Sequence, residues 1–143
     1  MTKYIIGLGS SHTCQQKYID QACLLLDQTS GIKILAKSKK HSGLGEKCPQ
    51  SLLLFSNSCI LVSTRYSPCS LWHMLSSIEN KLGRIRIFDN NSRTIDLDIL
   101  HSPNLTYQNN NLEIPHPEFR KRTFALEPAK EIAQKFNFFL KNI

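Results

Sequence analysis

With 143 residues, 41% of them hydrophobic and 20% charged, the chain has the make-up of one ordinary globular domain. No apolar run approaches the roughly 20 residues of a membrane span. The opening Met1-Thr2-Lys3-Tyr4-Ile5-Ile6-Gly7 meets glycine too soon for a signal peptide, so no membrane partner and a cytoplasmic place are expected. The formal charge of +7 suits a nucleic acid or a nucleoside triphosphate and does not separate the two.

Lys3 to Gly9 reads as a short apolar strand ending in Gly7-Leu8-Gly9-Ser10-Ser11, where the glycines suggest a tight turn. As a phosphate loop it is incomplete, because no Lys follows at Walker spacing. Ser11 or Thr13 is placed to cap a helix from about Gln15 to Gln28 with Ile19, Ala22, Cys23 and Leu26 on one face. Ile32 to Lys37 returns to strand character, and the polar, glycine-bearing Ser38–Pro49 reads as a loop. Leu52 to Thr64 is strongly apolar and predicts a central strand. Ser67-Pro68 starts a helix to about Leu82, with Leu71, Met74, Leu75, Ile78 and Leu82 inward and Gly83 as its stop.

A polar segment then leads into Arg93-Thr94-Ile95-Asp96-Leu97-Asp98-Ile99-Leu100, which alternates apolar and polar residues as a half-buried strand does. Asn104 to Asn111 reads as a turn region. Ile114-Pro115-His116-Pro117 is stiffened by its prolines, and Phe119 to about Lys135 holds one or two helical turns. The order β-α-β-β-α-β-α predicts an α+β single domain, a mostly antiparallel sheet flanked by helices, in its simplest packing with the helices on one face. Five cysteines (Cys14, Cys23, Cys48, Cys59 and Cys69), without C-x-x-C or zinc-like spacing, predict reduced thiols.

Chemistry concentrates in the second half. Period two puts Ile95, Leu97 and Ile99 on one face of their strand and Thr94, Asp96 and Asp98 on the other. The two carboxylates then stand roughly 6.5 Å apart along the axis, within reach of one or two hard divalent cations. The same pattern also describes a wetted strand face. Arg84, Arg86 and Arg93 surround the preceding loop, and Arg120 and Arg122 follow His116. Guanidinium groups bind phosphate bidentately, and they also make ordinary basic surfaces. Glu79 can accept from a nucleotide base or ribose, or pair with a surface neighbour. Taken singly, His116, Phe55 and Phe124 more commonly belong to the fabric of the fold, with a site as the alternative. Asn57, an amide inside an apolar strand, must find partners and suits the edge of a heterocycle.

These residues resemble one family nearly end to end. Gly7-Leu8-Gly9-Ser10, Phe55-Ser56-Asn57-Ser58, Ile78-Glu79-Asn80-Lys81-Leu82-Gly83-Arg84-Ile85-Arg86, the R-x-x-D-x-D strand from Arg93 and the P-H-P-x(4)-R-x-F run from Pro115 to Phe124 are similar to 6-hydroxymethyl-7,8-dihydropterin pyrophosphokinases. The resemblance implies a ferredoxin-like domain that moves pyrophosphate from MgATP to the pterin hydroxymethyl group in folate biosynthesis, releasing AMP. It implies two Mg²⁺ ions on Asp96 and Asp98, with Arg84 and Arg93 as catalytic arginines. ATP would meet Glu79, Arg86, Ile99, His116 and Arg122. The pterin would meet Ser42, Gly43, Leu44, Phe55, Asn57 and Phe124, stacked between the two phenylalanines.

The chain departs from the family's usual pattern in its loops. Ser42-Gly43-Leu44-Gly45 stands where a Thr-Pro-Pro-type loop is usual, which predicts a looser loop over the pterin. Asn90-Asn91-Ser92 stands where Trp-Gly-Pro is usual, Ser11 where Asn is common, and Phe55 where tyrosine is commoner. The alternative to an active enzyme is therefore a weakened relative that holds nucleotide or pterin. An RNA-binding module fits the charge, but no aromatic-rich RNP strand is present and Asp96 and Asp98 would repel a phosphate backbone. Small-molecule substrates, no nucleic acid and a monomer are expected.

Overall fold

The computed structural model describes residues 1–10, 15–39, 41–44, 54–83, 95–117 and 123–138. The first strand, β1 (Thr2–Ser10), has Tyr4, Ile5, Ile6 and Leu8 all essentially inaccessible to water. Burial on both faces requires a layer on each side of it. Helix α1 (Gln15–Gln28) has the predicted bounds and buries Ile19, Ala22, Cys23 and Leu26 at helical spacing. The chain turns at Gly31, whose φ of +87° is a left-handed conformation open to glycine at no steric cost. It continues as β2 (Ile32–Lys37), β3 (His41–Leu44) and the long β4 (Leu54–Thr64).

Helix α2 (Pro68–Lys81) begins where Ser67 caps it, the Ser67 hydroxyl accepting from the Ser70 N–H at 3.2 Å with Pro68 in the first turn. Gly83, at φ +72°, ends it, its N–H donating to the Asn80 carbonyl. The chain is next described at Ile95 and enters β5 (Asp96–His101), the short strands β6 (Tyr107–Gln108) and β7 (Glu113–Ile114), and α3 (Thr123–Lys135).

The main sheet has the order β2-β4-β1-β5, with β3 also paired to β4. Every pairing in it is antiparallel. Two β-α-β passes interleaved in this way make the expected ferredoxin-like arrangement. Tyr4, Ile6, Leu8, Ile60, Val62, Ile95, Leu97 and Ile99 pack on one face against α1 and α2. Ile5, Cys59, Leu61 and Leu100 pack on the other against Ala129 and Ile132 of α3. The helices therefore cover both faces, not one. Ile5 of β1 and Cys59 and Leu61 of β4 are buried on the face opposite Tyr4, Ile6, Ile60 and Val62, so each face needs a cover. Leu71 lies wholly buried where α2 meets the sheet. Leu71→Ala is expected to cost about 2–5 kcal/mol, read as a lower urea midpoint at unchanged slope; a loss under about 1 kcal/mol would contradict that packing.

Three further elements differ from expectation. His41–Leu44 is a strand rather than loop, because Leu54–Asn57 offers it a continuous backbone edge. Asn104–Asn111 does turn, the Asn109 side chain accepting from the N–H groups of Asn111 and Leu112, but it carries β6, which pairs with β7 in a small hairpin. Helix α3 runs unbroken through Pro128, which forfeits one hydrogen bond. Burial of Ala129, Ile132 and Ala133 at helical spacing offsets that loss. None of the described helices is long and apolar enough to cross a membrane.

Candidate active site

The strand β5 delivers the carboxylate pair as its alternation requires. Ile95, Leu97 and Ile99 are buried against α1 and α2, while Asp96 and Asp98 are partly exposed on the α3 face. Asp96 stands opposite Gly9 and Asp98 opposite Gly7, so neither carboxylate has a side chain beside it on β1. The two glycines are not equivalent. Leu100, two residues beyond Asp98, shares the α3 face by the same alternation and lies across Gly7. A β-carbon added at Gly7 would meet Leu100 Cδ1 at 2.9 Å, so glycine there accommodates the leucine.

The register carries the row onward. Gly9 is also opposite Asn57, and Asn57 is opposite His41, so Asp96, Gly9, Asn57 and His41 form one line across β5, β1, β4 and β3. Ser42, Gly43 and Leu44 pair with Ser56, Phe55 and Leu54 just beyond it. With neighbouring strands about 4.8 Å apart, the backbone of Asp96 is about 10 Å from that of Asn57. The segment expected as a loose loop over the pterin is thus, over Ser42–Leu44, a paired strand. Phe124 lies in the first turn of α3, the helix covering the same sheet face.

A second group gathers along the outer edge of β5. Glu79, near the end of α2, is only 5% exposed, and its Oε2 accepts the Leu97 N–H at 2.9 Å. It is neither a surface glutamate nor openly displayed to a ligand. The signal was its place on the inward stripe, four residues after Leu75 and next to Ile78. The backbone N–H of His116 donates to the Leu100 carbonyl at 2.9 Å, which docks the Pro-His-Pro segment on the same edge. Glu79 and His116 therefore flank Ile99, whose side chain is core and whose backbone alone can face a ligand. Arg84, Arg86, Arg93, Arg120 and Arg122 lie outside the described residues, as do Ser11, Asn90–Ser92, Cys14 and Cys48.

Among the described residues no group of three or more His, Cys, Asp and Glu side chains is placed to hold a metal. The candidate donors are the two carboxylates Asp96 and Asp98. Two carboxylates with an open face suit Mg²⁺, which keeps several waters and takes the rest of its ligands from substrate phosphates. Among the described residues Cys23, Cys59 and Cys69 form no disulfide. Burial raises the pKa of Cys59, with the Glu131 charge adding to it, and burial likewise raises that of Cys23. Native protein treated with iodoacetamide at mildly alkaline pH is expected to label at Cys69 well before Cys23 or Cys59. Equal labelling at Cys59 would contradict its burial.

Comparison with known proteins identifies the family and the fold. A family model described as 7,8-dihydro-6-hydroxymethylpterin-pyrophosphokinase matches residues 5–134. The chain is 35% identical over 135 residues to the 2-amino-4-hydroxy-6-hydroxymethyldihydropteridine pyrophosphokinase of Haemophilus influenzae, covering 93% of this chain and 82% of that one. It is 33% identical over 133 residues to the enzyme of the same name from Bacillus subtilis, covering 91% and 77%. A crystal structure of an HPPK-DHPS protein in complex with substrates shares the fold at a TM-score of 0.72 and 14% identity. That alignment covers 99% of this chain, which spans 41% of the length of the solved one. On the extent of the family match and the identity to these relatives, the chain belongs to the 7,8-dihydro-6-hydroxymethylpterin-pyrophosphokinase family.

Proposed function

We propose that the chain transfers the pyrophosphoryl group of MgATP to the hydroxymethyl oxygen of 6-hydroxymethyl-7,8-dihydropterin and releases AMP, a step of folate synthesis. The observation that carries this reading is the line from Asp96 through Gly9 to Asn57, set in a chain of this family. In the register Asp96 stands at one end of this line and Asn57 at the other, which supports a polyphosphate at the first and a heterocycle at the second. The gap between them carries no β1 side chain.

The roles follow from the chemistry of the residues. Asp96 and Asp98 hold magnesium, and we read the pair as serving two ions. When bound, the metal neutralises phosphate charge and lowers the cost of the pentacoordinate arrangement at phosphorus. The outer edge of β5 receives the nucleotide: the Ile99 backbone offers an N–H and a carbonyl to a purine edge, beside His116. Asn57 and the strand segment Ser42–Leu44 receive the pterin, with Phe55 and Phe124 as its stacking partners. Arg84, Arg86, Arg93 and Arg122 bind phosphate oxygens, by resemblance.

In the reaction the hydroxymethyl oxygen forms a bond to the β-phosphorus. The bond from that phosphorus to the α,β-bridging oxygen breaks, and its electron pair leaves with AMP. The hydroxyl proton passes to solvent or phosphate. No dedicated base is required when positioning and charge neutralisation dominate. The test is the mass of the pterin product formed from ATP and the pterin alcohol. Two phosphoryl groups gained in one step, with AMP as the other product, are expected. One phosphoryl group gained with ADP would overturn the reading.

A further inference from the structure

We propose that Glu79 is a positioning residue for the carboxylate pair, acting through the backbone of Leu97 rather than by touching the nucleotide. This rests on the reading of Asp96 and Asp98 as magnesium ligands. Among the described residues strand β5 is an edge of the main sheet, with no further strand on its outer side. The Leu97 amide lies between the two aspartates, and its N–H is taken by Glu79 Oε2 at 2.9 Å in a buried setting.

A carboxylate at a core-facing helical position is costly to desolvate, and an aliphatic side chain there would pack without that cost. What the carboxylate adds is a charge-assisted acceptor, roughly twice as strong as a neutral one. It gives the edge strand the fixed partner that a neighbouring strand would otherwise supply. The geometric consequence falls on the metal ligands. The Leu97 N–H belongs to the Asp96–Leu97 peptide, so turning that peptide changes the backbone dihedrals at Asp96 and Leu97 and with them the aim of Asp96 relative to Asp98. Fixing that peptide holds the pair at one spacing. At 5% exposure the Glu79 side chain presents little surface to a nucleotide, and its charge opposes a triphosphate. It serves as an outer partner whose effect on the metal passes through the strand.

The test compares wild type, Glu79→Ala and Glu79→Gln by two readouts. One is hydrogen exchange of the Leu97 amide in ligand-free protein. The other is the Mg²⁺ concentration giving half-maximal binding of a non-hydrolysable ATP analogue. In Glu79→Ala the Leu97 amide is expected to exchange at least about tenfold faster. The magnesium midpoint should rise about 10–100-fold, with metal-free binding of the analogue unchanged. Glu79→Gln, whose amide oxygen can still accept from Leu97, should recover most of both shifts. If Glu79→Ala does not fold, the glutamine variant decides alone: a smaller rise in Leu97 exchange must be accompanied by a parallel rise in the magnesium midpoint.

An unmoved magnesium midpoint in a folded variant whose Leu97 amide has opened would overturn the proposal. So would equal weakening of the analogue with and without Mg²⁺, which would mean direct contact with the nucleotide. Asp96→Asn is run alongside. If it too leaves the magnesium midpoint unmoved, the metal assignment itself has failed, and the inference with it.

Discussion

Asp96→Asn and Asp98→Asn are each expected to lower AMP formation by about a thousandfold or more while leaving the fold in place. Each substitution keeps the shape of the side chain and removes its charge. An amide oxygen is a far poorer ligand for a hard dication than a carboxylate, and Mg²⁺ here would have only two protein ligands to begin with. Metal stabilisation of a transferring phosphoryl group is worth several kcal/mol, and about 4 kcal/mol corresponds to three decades in rate. The fold should survive because Asp96 and Asp98 stand on the partly exposed α3 face, whereas Ile95, Leu97 and Ile99 anchor the strand from the other side. Unfolding free energy should therefore move by no more than about 1 kcal/mol. The check is steady-state AMP release with parallel urea denaturation. Turnover within tenfold of wild type in either variant would remove the metal assignment.

The second large effect is expected at Gly9. It faces Asp96 on one side and Asn57 on the other, on the sheet face that carries the aspartates. Gly9 is buried, so a valine there would force two methyl groups into packed surroundings beside Asp96 and Asn57 in the register. The cross-strand β-carbons would lie about 4.5–5.5 Å apart, leaving no room for the reacting hydroxymethyl group. Valine suits a strand backbone, but at a buried glycine its added methyl groups should cost about 1–3 kcal/mol of packing. Gly9→Val is therefore expected to lower turnover at least about a hundredfold, by the scale of misplacing reacting groups by an ångström. The thermal midpoint should fall as well, so turnover is compared at a temperature where the variant is folded. Gly9→Val with both stability and turnover retained would show that the reaction does not occupy this gap. Gly7 makes a useful contrast, because the space above it is already filled by Leu100.

Much of this was legible in the sequence, for identifiable reasons. The spacing of Ile19, Ala22, Cys23 and Leu26 defined α1, and Ser67-Pro68 with Gly83 bracketed α2, because caps and periodicity are local signals. The alternation in Ile95–Ile99 placed Asp96 and Asp98 on one face for the same reason. What was not legible depends on partners distant in the chain. His41-Ser42-Gly43-Leu44 has no strand propensity to speak of, and it becomes one by pairing with Leu54–Asn57. Helix α3 persists through Pro128 because its apolar face is buried on β4 and β1, which a local reading of proline cannot include. Glu79 reads as a ligand or a surface charge until the backbone of Leu97, eighteen residues away, is brought against it. The line through Asp96, Gly9 and Asn57 is likewise a property of register, and register becomes visible only once the strands pair.

The measurement that tests the account most directly is AMP release from ATP and 6-hydroxymethyl-7,8-dihydropterin across a Mg²⁺ titration, wild type beside Asp96→Asn. The account predicts AMP that requires both the pterin and magnesium in the wild type and is lost in the variant. AMP release that is indifferent to magnesium, or unchanged in Asp96→Asn, would contradict the claim that β5 is the metal strand of a pyrophosphokinase.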